Sequence, residues 1–447
     1  MTYVPHTDAE RKEMLAQIGV QHIEDLFEVV PAAHRFPRVE LPAPLSEPEL
    51  MAELREIAEE NVDLQHVACF LGAGAYNHFV PSVVDQILSR SEFYTAYTPY
   101  QPEVSQGTLQ SIFEYQTMIC ALTGMDVANA SHYDGATAMA EAAIMSLSVG
   151  RGRRKKVVMA PTIHPEYRET VRTYTQGMGV TIVGDDSLGN DLTALADMVD
   201  DETACLIVQN PDFLGRILDL GGLADVVHAH RALLVVSCDP ISLGMLRPPA
   251  EYGADIAIGE GQALGNTLSF GGPYLGFFAC KKEHVHRTSG RLVGQTVDVR
   301  GNTGYVLTLS TREQHIRRER ATSNICTNQG LNALAAAVYL AALGRCGLSK
   351  VAHLCYHKAH YAARLISGLD KYEVKLAKPF FKEFIVRCPM PVDELNSILL
   401  DVYGILGGFD LGRVYPGMTN HMLVCVTEMN TAEEIDALVE ALEEAAE

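Results

Sequence analysis

Ala204-Cys-Leu-Ile-Val208, the helically spaced stretch Leu223–His230, and then Leu233-Leu-Val-Val-Ser-Cys238 form two short apolar runs around one helix. Neither run alternates apolar with polar residues, as a strand with one wet face would. Such runs mark a mostly parallel sheet covered by helices on both faces. Upstream the same alternation continues through Val157-Val-Met-Ala160, a helix over Glu166–Gln176, Val180-Thr-Ile-Val183 and a helix over Leu192–Val199. Downstream, Tyr274–Cys280 reads as a further strand. Two helices come before the sheet: Ser105–Leu122, with Ser105 as N-cap and Gly124 as stop, and Gly135–Val149. The fold class is α/β.

The flanks read differently. Helical spacing over Asp8–Ile18 and Ile23–Val30 is followed by Pro37, Pro42, Pro44 and Pro48, then by a charged helix over Pro48–Glu60. Proline lacks the N–H a helix interior needs, so the middle is an extended connector. Residues 1–90 are expected to be a helical arm and connector laid over another surface, such as a second subunit. Residues 91–325 form the large α/β domain. Residues 326–447 form a small α+β domain. It has helices over Gln329–Leu343, Leu348–Leu369 and Val392–Tyr403, and strands over Phe384–Cys388 and Met422–Val426. A capping box at Thr431 and Glu434 opens the last helix.

Composition excludes several classes. Among 447 residues, 35 Lys plus Arg against 56 Asp plus Glu give a formal charge of −21, the wrong sign for a nucleic-acid-binding body. A hydrophobic share of 47% rules out wholesale disorder. The best candidate for a membrane span, the uncharged Ile325–Gly344, is interrupted by Thr327, Asn328, Gln329 and Asn332, and reads as a core helix instead. The first ten residues show neither a basic nor an apolar leader segment, so a cytoplasmic location is expected. Ten single cysteines without a C-x-x-C fit buried thiols in a reducing compartment. Arg151–Lys156 is the only basic run and reads as a solvated loop before a strand. His353, His357 and His360 share a helical stripe opposite the apolar face of Val351, Leu354, Cys355, Ala362, Leu365 and Ile366, with no carboxylate beside them. No metal site is expected there. Gly72-Ala-Gly74 and Gly259–Gly265 lack the spacing of a dinucleotide loop, and there is neither a P-loop nor a nucleophile elbow.

Two features point to chemistry. Asp134-Gly135-Ala136-Thr137 opens a helix, where free N–H groups can hold a phosphate or where Asp134 simply caps. Ser237-Cys238-Asp239-Pro240 ends a buried strand and places a carboxylate at the sheet edge where ligands bind. A phosphate cradle with a strand-end Asp suits pyridoxal phosphate (PLP), whose ring nitrogen the Asp keeps protonated. Such enzymes also need a Schiff-base lysine a few tens of residues later, and none occurs between Asp239 and Cys280. Lys281 and Lys282 end the strand from Tyr274, about 20 Å from its other end at about 3.3 Å per residue. A self-sufficient PLP enzyme built on either lysine is the least favoured reading.

Four long blocks carry a resemblance: Phe70–His78, Tyr97–Gly107, Thr123–Ser131 and Ala321–Gln329. Together they closely resemble the glycine cleavage system P protein, over essentially the whole chain. The resemblance implies a PLP-dependent transferase fold of type I and a family that exists as one chain or as two paralogous subunits. In the lysine-bearing half a His-Lys pair follows the strand-end Asp. Here Gln262-Ala263 stands in that place, so the chain looks like subunit 1, with no catalytic residue of its own. The resemblance further implies PLP bound covalently by the lysine-bearing partner, glycine as substrate, and transfer of the aminomethyl group to the lipoyl arm of H protein. A vestigial pocket at Gly135, Ala136, Thr137 and Asp239 is expected here. Tyr97, Tyr100, Gln101, Glu103, Thr267 and Arg320 are interface candidates that reach the partner's site. The rival reading is an inert scaffold that only stabilises the partner.

Overall fold

The computed structural model describes residues 5–97, 99–325, 328–375 and 379–446. Cys326, and with it part of the Ala321–Gln329 block, lies outside them, as does the very start of the chain. The chain divides into two compact units after Val62.

In the first unit, helices Asp8–Ile18 and Glu47–Glu59 each open with a capping box, Thr7 with Glu10 and Ser46 with Glu49. The helix expected over Ile23–Val30 is instead a 3₁₀ turn over Ile23–Phe27. Pro31 biases the residue before it away from helical geometry, and a single short turn is what remains. Leu50, Met51, Leu54 and Ile57 are exposed along the second helix.

The second unit is built on a seven-stranded sheet. Its strands are β1 (Val127–Ala128), β2 (Lys156–Met159), β3 (Thr181–Val183), β4 (Thr203–Gln209), β5 (Leu233–Ser237), β6 (Ile256–Glu260) and β7 (Gly276–Cys280). They lie in the order β1-β7-β6-β5-β4-β2-β3. Strands β2 to β6 are parallel, and β7 runs antiparallel to both neighbours. Every residue of β5 and β7 is buried, as unalternating apolar runs require. The basic run is a loop as far as Lys155 and enters β2 at Lys156: Arg154 donates to the carbonyls of Thr203 and His230, and Lys156 pairs with Asp200 at 2.6 Å.

A smaller four-stranded antiparallel sheet holds Glu373–Val374, Glu383–Arg387, His421–Cys425 and Phe409–Asp410. The chain meets this region early. Ala68–Cys69 pairs in parallel with Ile405–Leu406, and Phe70 is fully buried in the same core as Phe384 and Val424. Residues 63–90, grouped by sequence with the arm, are thus woven into the second unit.

Helix Gly330–Ile366 is long and apolar enough by composition to cross a membrane, but Gly344 breaks it with φ 58° and ψ −175°. The two pieces match the two helices expected on either side of that glycine. Ala335, Ala336, Ala352 and Cys355 are fully buried in the core of the large sheet, which packs both pieces against it. Of the histidine stripe, His353 and His357 are exposed. His360 departs from the wet side: its ring lies flat on Phe380, with centroids 3.9 Å apart. Leu354, expected on the apolar face, is exposed.

Candidate functional site: a closed pocket at the sheet edge

Helix Gly135–Val149 starts as the sequence requires. Asp134 Oδ1 accepts from Thr137 N at 2.7 Å, so one of the free N–H groups at the helix start serves the cap. A second is also taken: Gly135 N donates to Glu260 Oε2 at 3.0 Å. Glu260 is the last residue of β6, and its other oxygen accepts from Gln262 N at 3.0 Å and Leu275 N at 2.9 Å. Burial pushes this carboxyl up to about 8, against the pull of three backbone donors. Gly135 is a glycine because of this crowding. A Cβ there would lie 2.5 Å from Tyr167 Oη and 2.9 Å from Glu260 N.

At the opposite wall, Asp239 stands just past β5, and Ile241 N donates to its Oδ1 at 2.9 Å. Its other oxygen accepts from Lys382 Nζ at 2.7 Å, with both side chains nearly buried. Lys382 immediately precedes the strand Glu383–Arg387 of the small sheet. The same ammonium lies 3.0 Å from His78 Nε2 and 3.3 Å from the centroid of the Tyr76 ring. Burial works against the charge, but the attraction of Asp239 holds Lys382 above its ordinary value.

The loop 72–79 closes the front. Gln262 clamps it by accepting from Tyr76 N at 2.9 Å and donating to Tyr76 O at 3.0 Å. Glu383 accepts from Ala73 N at 2.7 Å and from the Tyr76 hydroxyl at 2.9 Å. His164 contacts Ala73 O at 2.8 Å and stacks on Tyr167, ring centroids 4.7 Å apart. Ala263 is 3% exposed and packed into the core.

What remains between these groups is a cavity of about 40 Å³, lined by Gly74, Tyr76, Tyr167, Asp239, Glu260 and Gln262 among others. Ligand pockets run to roughly 300–1,000 Å³. Among the described residues, none of the polar side-chain atoms of Tyr76, Asp239, Glu260, Gln262, Lys382 or Glu383 is buried without a partner. The residues present do not fit PLP. Its ring would take the space of the Lys382 ammonium, and its phosphate would displace Glu260 from Gly135.

Of the four residues expected to form a vestigial pocket, Gly135, Ala136 and Thr137 open the helix and Asp239 follows β5, and Gly135, Thr137 and Asp239 are already engaged within the chain. Lys281 is excluded as an anchor, since its ammonium is held by Asp255 Oδ1 at 2.6 Å and by Gly253 O at 3.2 Å at the far end of the sheet. Behind Lys382, His78, Cys355 and Glu428 come close enough to suggest a metal. They instead form a hydrogen-bonded chain. His78 Nδ1 meets Glu428 Oε2 at 2.7 Å, and Cys355 Sγ donates to the same oxygen at 3.3 Å. Although burial opposes it, the bond from His78 holds Glu428 down at about 2, while burial pushes the Cys355 thiol well up. A protonated thiol beside an ammonium is poor metal-ligand chemistry.

The six interface candidates do not converge on this pocket. Tyr97 is 85% exposed, and Gln101 and Glu103 are exposed beside it. Tyr100 lies beneath Arg291, 4.1 Å from the guanidinium carbon to the ring centroid, and donates to Asn328 Oδ1 at 3.0 Å. Tyr97, Tyr100, Arg291 and Asn328 line a separate cleft of about 560 Å³. Arg320 is exposed in another cleft of about 500 Å³ with Arg287, Arg312 and Arg317. Thr267 is exposed on the loop after β6, 2.7 Å from Ser269 Oγ.

Sequence reasoning missed Lys382, Glu260 and Tyr76. The signal for the first was present in Phe380-Phe-Lys-Glu-Phe-Ile-Val386, where two charges interrupt an apolar run. Charged residues are almost never fully buried unless paired.

The chain matches the family model described as glycine cleavage system P-protein over residues 1–442. A relative from Thermomicrobium roseum, "Probable glycine dehydrogenase (decarboxylating) subunit 1", is 56% identical over 448 residues, covering 100% of both chains. One of the same name from Desulforamulus reducens is 53% identical over 446 residues, covering 99% of each. A crystal structure of glycine decarboxylase (P-protein) of the glycine cleavage system, in inhibitor-bound form, superposes with a TM-score of 0.90 at 44% identity, covering 99% of this chain and 100% of that one. A sphingosine-1-phosphate lyase from Burkholderia pseudomallei, at 16% identity and TM-score 0.65 over 93% of this chain and 94% of its own, shares the fold alone. The architecture is that of the PLP-dependent enzymes of fold type I. On the full-length family match and these identities, the chain belongs to the glycine cleavage system P-protein family.

Proposed function

We propose that the chain is the non-lysine half of a two-subunit glycine decarboxylase, and that it acts by completing the active site of a lysine-bearing paralogue. One observation carries this reading. The chain belongs to the P-protein family, yet no lysine lies between Asp239 and Cys280, and the buried amine at the pocket wall, Lys382, is committed to Asp239. The partner binds PLP through its own lysine. When bound, that cofactor supplies the electron sink for the charge left as glycine loses CO2. The aminomethyl group then passes to the lipoyl arm of H protein. The single cysteines, buried as thiols at seven of the nine described positions, support a reducing cytoplasmic location.

The residues of this chain that serve the shared site are the exposed Tyr97, Gln101, Glu103, Thr267 and Arg320, with Tyr100 behind them. Solvent-exposed aromatic and arginine side chains at the mouths of two clefts are the composition of an interface rather than of free surface. Tyr100 is already fixed by Arg291 and Asn328, so the cleft it lines presents a rigid aromatic wall to the partner.

The test is glycine–CO2 exchange. The isolated chain is expected to show neither exchange nor a pyridoxal absorbance band, and both return with the partner. Substituting Tyr97, Glu103 or Arg320 should lower turnover at least tenfold in an assembled complex of unchanged stoichiometry. Full turnover in all three variants would favour the scaffold. Exchange by the isolated chain would contradict the reading.

A further inference from the structure

The closed pocket is more than a site that has lost one residue. An ammonium and a carboxyl stand at the two points where a pyridoxal phosphate would be gripped. The Lys382 ammonium meets Asp239 at 2.7 Å, as a protonated ring nitrogen would. The Glu260 carboxyl meets Gly135 N at the helix start at 3.0 Å, as a phosphate oxygen would. The Tyr76 ring lies against the ammonium, and Gln262 pins the backbone of Tyr76 in place. These groups come from three separate regions of sequence, so the filling is not one misplaced loop. Each makes hydrogen bonds to the other walls, and only about 40 Å³ stays empty.

We infer that Lys382 and Glu260 act as a built-in substitute for the cofactor, holding the pocket of this chain shut so that it folds without PLP and does not bind it. The inference rests on the residues of this chain alone and stands whether or not the partner reading does. Removing both side chains leaves Asp239 and Gly135 N facing an open space, and a pyridine phosphate that needs no Schiff base then has its two anchors back. Pyridoxamine 5′-phosphate is the probe, because it cannot react with surface lysines.

The full chain and its Lys382→Ala/Glu260→Ala variant are heated with and without 1 mM pyridoxamine 5′-phosphate, about the level needed to read a weak site by mass action. The native chain is expected to show no change in Tm. The variant is expected to melt lower and to rise by at least about 3 °C with the ligand, and adding Asp239→Ala abolishes the rise. A ligand-induced rise in the native chain that Asp239→Ala removes would overturn the inference, as would a folded variant with no rise. A second measurement on the native chain covers a variant that does not fold. Under reductive methylation Lys382 should stay unmodified while exposed lysines react, and modification of Lys382 at their rate in the folded protein would also overturn it.

Discussion

Lys382 makes the sharpest energetic statement in the molecule. A buried ion pair returns little net stability compared with well-packed apolar residues, but removing one partner leaves the other charge buried and unmatched, at about 3–5 kcal/mol. Lys382→Met should therefore lower unfolding free energy in urea by that order, and Lys382→Met/Asp239→Asn should recover a large part of the loss. Equal losses in both variants would mean that Asp239 is not held by this ammonium. Buried carboxyls set the pH dependence. Burial pushes Glu141 up to about 7, against the single hydrogen bond from Ser323, and does the same to Glu260 at about 8. A carboxyl whose folded value lies above its unfolded one gives stability that is complete below the ordinary value of 4.5 and is lost as pH rises through the folded value. These carboxyls should thus take stability from the native chain as pH rises from 5 to 8, and because buried imidazoles such as His132, held down by burial, give stability back only up to about 6.5, the net fall is expected above pH 6.5. Glu141→Gln should flatten that fall, by at most about 3 kcal/mol. An unchanged slope in denaturation curves across this range would contradict the assignment.

Helix Gly135–Val149 shows what an element inherits from its neighbours. Its limits are readable from Asp134 as cap and from its apolar residues, and the structure reproduces them. What the helix start is used for is not readable, because Glu260 reaches it from a strand 125 residues later. Alanine exceeds glycine in helix propensity by about 1 kcal/mol, so Gly135→Ala would be stabilising on local grounds. The Tyr167 hydroxyl and the backbone of Glu260 leave no room, and the variant is expected instead to lower Tm by several degrees. A neutral or raised Tm would show that the strand end yields easily. Strands β4, β5 and β7 were legible from unalternating apolar runs. The strand after Lys382 was read as beginning at Phe384, since two adjacent charges look like a strand's end, whereas Glu383–Arg387 begins with Glu383 itself buried.

Taken as a whole, the chain separates scaffold from chemistry. The strand-end Asp239, the helix start and five of the seven strands were visible in local pattern, whereas the sheet order and the strands Val127–Ala128 and Ile256–Glu260 came only with the structure. Closure of the pocket was not visible either, because it depends on long-range contacts: residues 73–78 and 382–383 meet at the edge of a sheet to which neither contributes a strand. Local periodicity carries no information about such pairings. The residues proposed for the interface have the opposite character. Tyr97, Glu103 and Arg320 were legible only through resemblance to a family, and within this chain they remain spread over separate surfaces. The quantity that joins pocket and partner is the number of cofactors in the assembled enzyme. Total PLP released by alkali from the purified two-subunit complex should equal one per pair of chains, and borohydride reduction followed by peptide mapping should label the partner alone. Two per pair, with one traced to the pocket between Asp239 and Gly135, would contradict the account.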